Sequence, residues 1–138
     1  MKITELELIP IYSTREMGRT GPADPERAIS HHVIVRLHTD TGIVGLGEMS
    51  DVDWDLSPAS LGQLQAKLAA VLLGRSPFDL TAIQVALGRQ QWDHQVVCGV
   101  DIALHDALAK ALDVPLHQLF GGKVRDRIPF CYPLARCS

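Results

Sequence analysis

His32-Val33-Ile34-Val35-Arg36-Leu37-His38-Thr39, then Asp40-Thr41-Gly42, then Ile43-Val44-Gly45-Leu46-Gly47-Glu48 is the stretch whose pattern decides the fold. In the first run Val33, Val35 and Leu37 alternate with Ile34, Arg36 and His38, the period of a strand with one buried face. Ile43 to Glu48 makes another strand. Between them Asp40 can cap a turn through its side chain and Gly42 can take the left-handed conformation, so the two runs are predicted to form a hairpin. Upstream, Leu6, Leu8 and Tyr12 recur at period two within Ile3 to Tyr12, which adds a strand and completes a three-stranded antiparallel meander.

Two irregular stretches flank this meander. Ser13 to Ser30 holds Gly18, Gly21, Pro22 and Pro25 with no apolar period and reads as a long loop, a kind that in compact domains is usually functional or disordered. Met49 to Leu56 follows the last strand. In a meander both loops leave the same end of the sheet, so they are expected to project side by side.

Downstream the period changes to 3.6. Ser57-Pro58 supplies an N-cap and a proline at the first helical position, and Leu61, Leu64, Leu68, Val71 and Leu72 form a stripe that ends at Gly74. Asp79 can cap a shorter helix with Ile83 and Leu87 that stops at Gly88. A third helix is predicted over about Cys98 to Leu112, where Val100, Ala103, Leu104, Ala107, Leu108, Ala111 and Leu112 fill more than one face and imply deep burial. Pro115 and Gly121-Gly122 close that helix and a short turn. Ile128, Phe130, Tyr132 and Leu134 then return to period two, a strand with no partner in the sequence that follows. The fold class is therefore α+β: a meander, a three-helix bundle and a terminal strand.

The 138 residues carry 13 Lys+Arg and 16 Asp+Glu, a net charge of −3 that excludes an electrostatic nucleic-acid or anionic-membrane binder. No run approaches the roughly 18 apolar residues of a membrane span. Met1-Lys2-Ile3-Thr4-Glu5 leads directly into the first strand, without the basic and apolar segments of a signal peptide. Cys98, Cys131 and Cys137 make no Cys-x-x-Cys pair, so a reduced, cytoplasmic protein is expected. His31 and His32 are strand neighbours pointing to opposite faces, which argues against chelation by that pair.

Four motifs are weighed against plainer accounts. Gly42-Ile43-Val44-Gly45-Leu46-Gly47 lies in a strand with no helix behind it, so Gly45 and Gly47 are better explained as leaving a strand face bare for close packing than as a phosphate cradle. Gly121-Gly122-Lys123 lacks the remaining P-loop residues and reads as helix termination. Asp51-Val52-Asp53-Trp54-Asp55 alternates carboxylates as calcium loops do, but Leu56 and Gly62 stand where a Gly and a bidentate Glu are needed. It reads as a solvated acidic loop or as a polar, substrate-facing one walled by Trp54. Asp101 and His105 stand at i and i+4 with Asp106 adjacent. On so apolar a helix they read as a satisfied polar pair before an acid/base dyad. No nucleophilic triad or His-Glu-x-x-His appears.

Thr39-Asp40-Thr41-Gly42-Ile43-Val44-Gly45-Leu46-Gly47-Glu48, then Gly99-Val100-Asp101-Ile102-Ala103-Leu104-His105-Asp106 and Lys110-Ala111-Leu112-Asp113-Val114-Pro115-Leu116-His117-Gln118-Leu119-Phe120-Gly121-Gly122, resemble the enolase superfamily. More narrowly, they are similar to the N-terminal capping domain of its mandelate racemase/muconate lactonizing enzyme group. The resemblance implies that residues 1–122 cap a (β/α) barrel absent from this chain, with residues 123–138 forming a linker and the first barrel strand. It also implies a racemase, cycloisomerase or sugar-acid dehydratase, a sugar acid foremost, in which barrel residues bind Mg²⁺ and abstract the proton α to the substrate carboxylate.

On that resemblance, neither catalytic nor metal-binding residues lie on this chain. The two loops would close over the barrel mouth and touch the substrate with Met17 and Arg19 from the first and Asp53 and Trp54 from the second. The full-length form is expected to be a homo-oligomer. A stand-alone binding module using the same loops and a nonfunctional truncated product are the competing readings.

Overall fold

The computed structural model describes residues 1–14 and 29–129. Three strands, β1 (Ile3–Thr14), β2 (Ile29–Thr39) and β3 (Val44–Met49), form one antiparallel sheet in the order β1-β2-β3, as the alternation requires. Helices α1 (Pro58–Leu72), α2 (Leu80–Gly88) and α3 (His94–Ala111), with the single turn α4 (Leu116–Leu119), follow. The fold is α+β.

The hairpin closes at Gly42, whose φ is +81° and whose N–H donates to the Thr39 carbonyl at 3.1 Å. Its side-chain cap is not the expected one. Asp40 instead reaches across to β1 and accepts the Lys2 N–H at 2.7 Å, while the Thr39 hydroxyl donates to the Ile43 carbonyl at 2.8 Å. Register aligns Leu6, Leu37 and Gly45 in one row of the inner face, and Leu8, Val35 and Gly47 in the next. Against these rows pack Leu68 and Leu72 of α1, Ile83 and Leu87 of α2, and Val100, Ala103 and Leu104 of α3.

The bare strand face at Gly45 and Gly47 is filled by α3. A methyl group on Gly45 would overlap the Ala103 carbonyl and come within 2.9 Å of the Ala107 methyl; one on Gly47 would overlap the Gly99 carbonyl and approach Ala103 N to 2.8 Å. Gly99 is the reciprocal notch: a Cβ there would lie 2.6 Å from Met49 Cγ. The helix backbone therefore rests directly on the strand backbone.

Both sheet edges are partly covered. The start of β1 is bonded by the turn after α1: Ile3 N–H donates to the Arg75 carbonyl and Gly74 N–H to the Ile3 carbonyl, each at 2.9 Å. On β3, Asp106 accepts the Leu46 N–H at 2.8 Å and Lys110 donates to the Val44 carbonyl at 2.8 Å, with Lys110 and Asp106 themselves 2.6 Å apart. Asp106, adjacent to the Asp101/His105 pair in sequence, thus serves the sheet edge.

The α1 boundaries follow the sequence signals, with the Ser57 side chain accepting the Ser60 N–H at 3.4 Å. Helix α3 begins one turn before the expected Cys98, because Val96 adds a buried apolar residue to the stripe. At its other end Leu112 is 47% exposed, outside the core that the apolar pattern assigned it to. The expected strand over Ile128 to Leu134 lies outside the described residues from Phe130 onward, and Ile128 and Pro129 carry no strand. Cys131 and Cys137 also lie outside; Cys98 is a free, half-buried thiol. No helix among the described residues is long and apolar enough to cross a membrane.

Candidate functional site: a groove at the loop end of the sheet

The inner-face parity of the sheet continues one row beyond the helices. Pro10, Val33 and Met49 form the last covered row; the next holds Tyr12 opposite His31. Met49 and Val33 are fully buried, whereas Tyr12 is 62% exposed. Tyr12 therefore keeps the predicted parity without a core to enter. Its ring meets the His31 ring edge to face, with centroids 5.3 Å apart and planes at 82°.

The 49–56 stretch supplies the facing wall. Val52 N–H donates to the His31 carbonyl at 2.9 Å, extending the ladder past β3, and Val52 and Leu56 insert into the core. Asp55 is tied down as well. It accepts the Ser57 N–H at 2.9 Å and the Ser57 and Ser60 hydroxyls at 2.6 Å each. The Ser57 hydroxyl, with those of Ser60 and the Ser57 amide, holds the Asp55 carboxyl below the ordinary aspartate value of 3.8. Asp53 and Trp54 stand between these anchors. With Tyr12, His31, Asp55 and Leu56 they line a groove of about 540 Å³.

Trp54 also forms part of a second depression of about 480 Å³, shared with Leu64, Lys67, Trp92 and Val96. The indole N–H groups of Trp54 and Trp92 are buried and have no hydrogen-bond partner among the described residues. A buried donor without an acceptor is costly.

Of the four residues expected to face a substrate, the groove brings Asp53 and Trp54 together. Met17 and Arg19 lie outside the described residues. Sequence reasoning missed Tyr12 and His31 as groove residues. The signal was present in the period-two parity, but only the position of the last helix-covered row separates a core tyrosine from a groove tyrosine. His31 and His32 do point to opposite faces: His32 pairs with Glu48 at 2.8 Å on the outer surface.

The described residues do not fit a divalent cation. No three His, Cys, Asp or Glu side chains among them converge, and the Asp55 oxygens are engaged by Ser57 and Ser60. Asp101 and His105 form a satisfied pair, not an acid/base dyad. His105 Nδ1 lies 2.9 Å from the Asp101 carbonyl and 3.4 Å from its carboxylate, which also accepts Gln84 Nε2 at 2.7 Å. The pair joins α3 to α2, with Phe120 against the His105 ring at 5.2 Å.

This sheet with helices on one face and loops gathered at one end defines an enolase-type N-terminal domain. Residues 25–121 match the model of the mandelate racemase/muconate lactonizing enzyme N-terminal domain, and the chain belongs to that family. It is 37% identical over 133 residues to a chloromuconate cycloisomerase of Cupriavidus pinatubonensis, covering 92% of this chain and 34% of that protein. A D-xylonate dehydratase of Haloferax volcanii is 34% identical over 104 residues, 70% of this chain and 24% of the relative. The solved muconate lactonizing enzyme of Pseudomonas putida superposes with a TM-score of 0.71 at 25% identity, over 91% of this chain and 34% of that one. The chain thus spans about a third of the length of the cycloisomerase it matches.

Proposed function

We propose that this chain is the capping domain of an enolase-superfamily enzyme acting on a small carboxylate, and that its own part is to close over and select the substrate. The groove between Tyr12 and His31 on one side and Asp53 and Trp54 on the other carries this reading, because it lies where both loops leave the sheet. Racemisation, cycloisomerisation or dehydration begins with removal of the proton α to the carboxylate, and this step, with the Mg²⁺ that assists it, is assigned to a barrel outside the chain. Residues 1–122 would form the cap, and residues 123–138 the linker and first barrel strand. The protein would act as a cytoplasmic homo-oligomer.

Within this chain Trp54 would give the substrate an apolar wall and exclude water, Asp53 would offer hydrogen-bond acceptors, and Met17 and Arg19 would complete the rim from the first loop. Relatives that are cycloisomerases and dehydratases support the reaction class without choosing within it.

The test is a panel of α-proton carboxylates offered to this chain extended into its barrel. Trp54→Ala and Arg19→Ala should each lower kcat/KM about tenfold with the metal affinity unchanged. Unchanged constants in both variants would refute the gating role, and an open reading frame that ends at the Ser138 codon would favour a stand-alone or truncated product.

A further inference from the structure

Resting on that reading, we infer that Tyr12 and His31, which belong to the strands and to neither loop, select a substrate whose far end carries hydroxyl groups in preference to a second carboxylate or an ammonium group.

The argument is one of charge and of donor and acceptor supply. Among the described residues lining the groove there is no Lys or Arg, while Asp53 and Asp55 both contribute carboxylates. Asp55 keeps its negative charge through the serine donors around it. An anionic group entering here would be desolvated against like charge with no cation to compensate. An ammonium group would use acceptors only. The groove offers more than that: a phenol hydroxyl and an imidazole that each donate and accept, beside the acceptor-only Asp53. Successive hydroxyls on one carbon chain need that mixture, each being a donor and an acceptor at once. Trp54 supplies the flat apolar surface against which the C–H side of such a chain can lie.

The rings of Tyr12 and His31 are also held in place. They come from directly paired positions of β1 and β2, and the ladder bond from Val52 to the His31 carbonyl fixes the second strand from its other side. Donors set on paired strands are positioned before the ligand arrives, so less ordering is needed on binding. Discrimination by hydrogen bonds to substrate hydroxyls is steep, because an analogue lacking them leaves the site's own groups unpaired.

Three probes share a six-carbon chain and a terminal carboxylate and differ at the far end: D-gluconate with hydroxyls, adipate with a carboxylate, 6-aminohexanoate with an ammonium group. Each is titrated into the 138-residue chain and followed by NMR through the His31 ring and Trp54 indole resonances. Gluconate should saturate in the millimolar range, about tenfold tighter than the other two. Tyr12→Phe and His31→Gln should each weaken gluconate roughly fivefold and leave adipate unchanged, with the amide spectrum reporting that the variant is folded.

If one variant fails to fold, the other and Asp53→Asn carry the test. Adipate or 6-aminohexanoate matching gluconate, gluconate binding that ignores these substitutions, or no gluconate response at about 50 mM would each overturn the inference. Turnover of a dicarboxylate by the barrel-containing chain, with no gluconate binding here, would sink this inference and leave the capping function standing.

Discussion

The seam between β3 and α3 and the groove at the end of the same sheet use neighbouring residues under opposite rules. At the seam, Gly45, Gly47 and Gly99 bring two backbones together with no space for a methyl group. Two rows further along, Tyr12 and His31 continue the same inner-face alternation where no helix covers them. Backbone packed on backbone has no rotamer through which to absorb a change, whereas side chains facing an open groove can move. Fold and recognition are thereby separated along one sheet.

The largest effect should come from filling the seam. Gly47→Val places side-chain atoms where the Gly99 carbonyl and Ala103 backbone lie, and should cost on the order of 3 kcal/mol or more in urea denaturation. A cost below about 1 kcal/mol would mean that the helix shifts freely, and the contrast would fail. Gly99→Ala sharpens the comparison. Its nearest obstacle is the flexible Met49 side chain, with backbone atoms of Glu48 and Met49 at 3.1 Å, so about 1–2 kcal/mol is expected.

Next comes the hinge between the two regions. Ser57→Ala removes the α1 cap and two of the hydrogen bonds in the Asp55 cluster, with an expected loss of about 1 kcal/mol in thermal or urea unfolding. Its pH signature has a definite sign. Asp55 is held below its ordinary 3.8, chiefly by Ser57, so its stabilisation is fully present above that value and is lost as pH falls through the lower folded value. Glu7 behaves alike below its ordinary 4.5, mainly through the hydrogen bond from His38, with Arg36 adding charge. Asp55→Asn should flatten the acid limb of the Tm profile, and an unchanged limb would show that the cluster does not bias folding.

The smallest effect belongs to the groove. Trp54→Phe removes an indole N–H that has no acceptor among the described residues and keeps most of the ring, so stability should change by less than about 0.5 kcal/mol or rise slightly. A loss above about 2 kcal/mol would place Trp54 among the core residues instead.

Most of the fold was legible because its signals are local and redundant. The alternation of Val33, Val35 and Leu37, the Ser57-Pro58 start and the α1 stripe each carry their own evidence for a strand or helix. Even the seam was legible, since two glycines on one strand face have few other uses. The groove was half legible. Asp53 and Trp54 could be placed by loop position, but His31 becomes a groove residue only through tertiary geometry: the helices stop one row short of it. Asp40 was assigned to its own turn and serves β1, because a cross-strand N–H at 2.7 Å outcompeted the local cap. The α3 start was missed by a turn because His94 and Gln95 carry no capping signal, and Asp93 makes no side-chain cap.

The Asp106 and Lys110 clasp on β3 bears on how the molecule behaves among many copies of itself. A foreign strand would grow this sheet by bonding to the Leu46 N–H and the Val44 carbonyl, the groups that fibril-forming edges leave vacant. Here both are occupied by charged side chains of the chain's own helix. Templated growth along β3 would first have to displace two charge-assisted hydrogen bonds and lift α3 from the strand on which it rests. The clasp acts as a gatekeeper against polymerisation, and crowding a solution of the folded chain should not extend its sheet from this side.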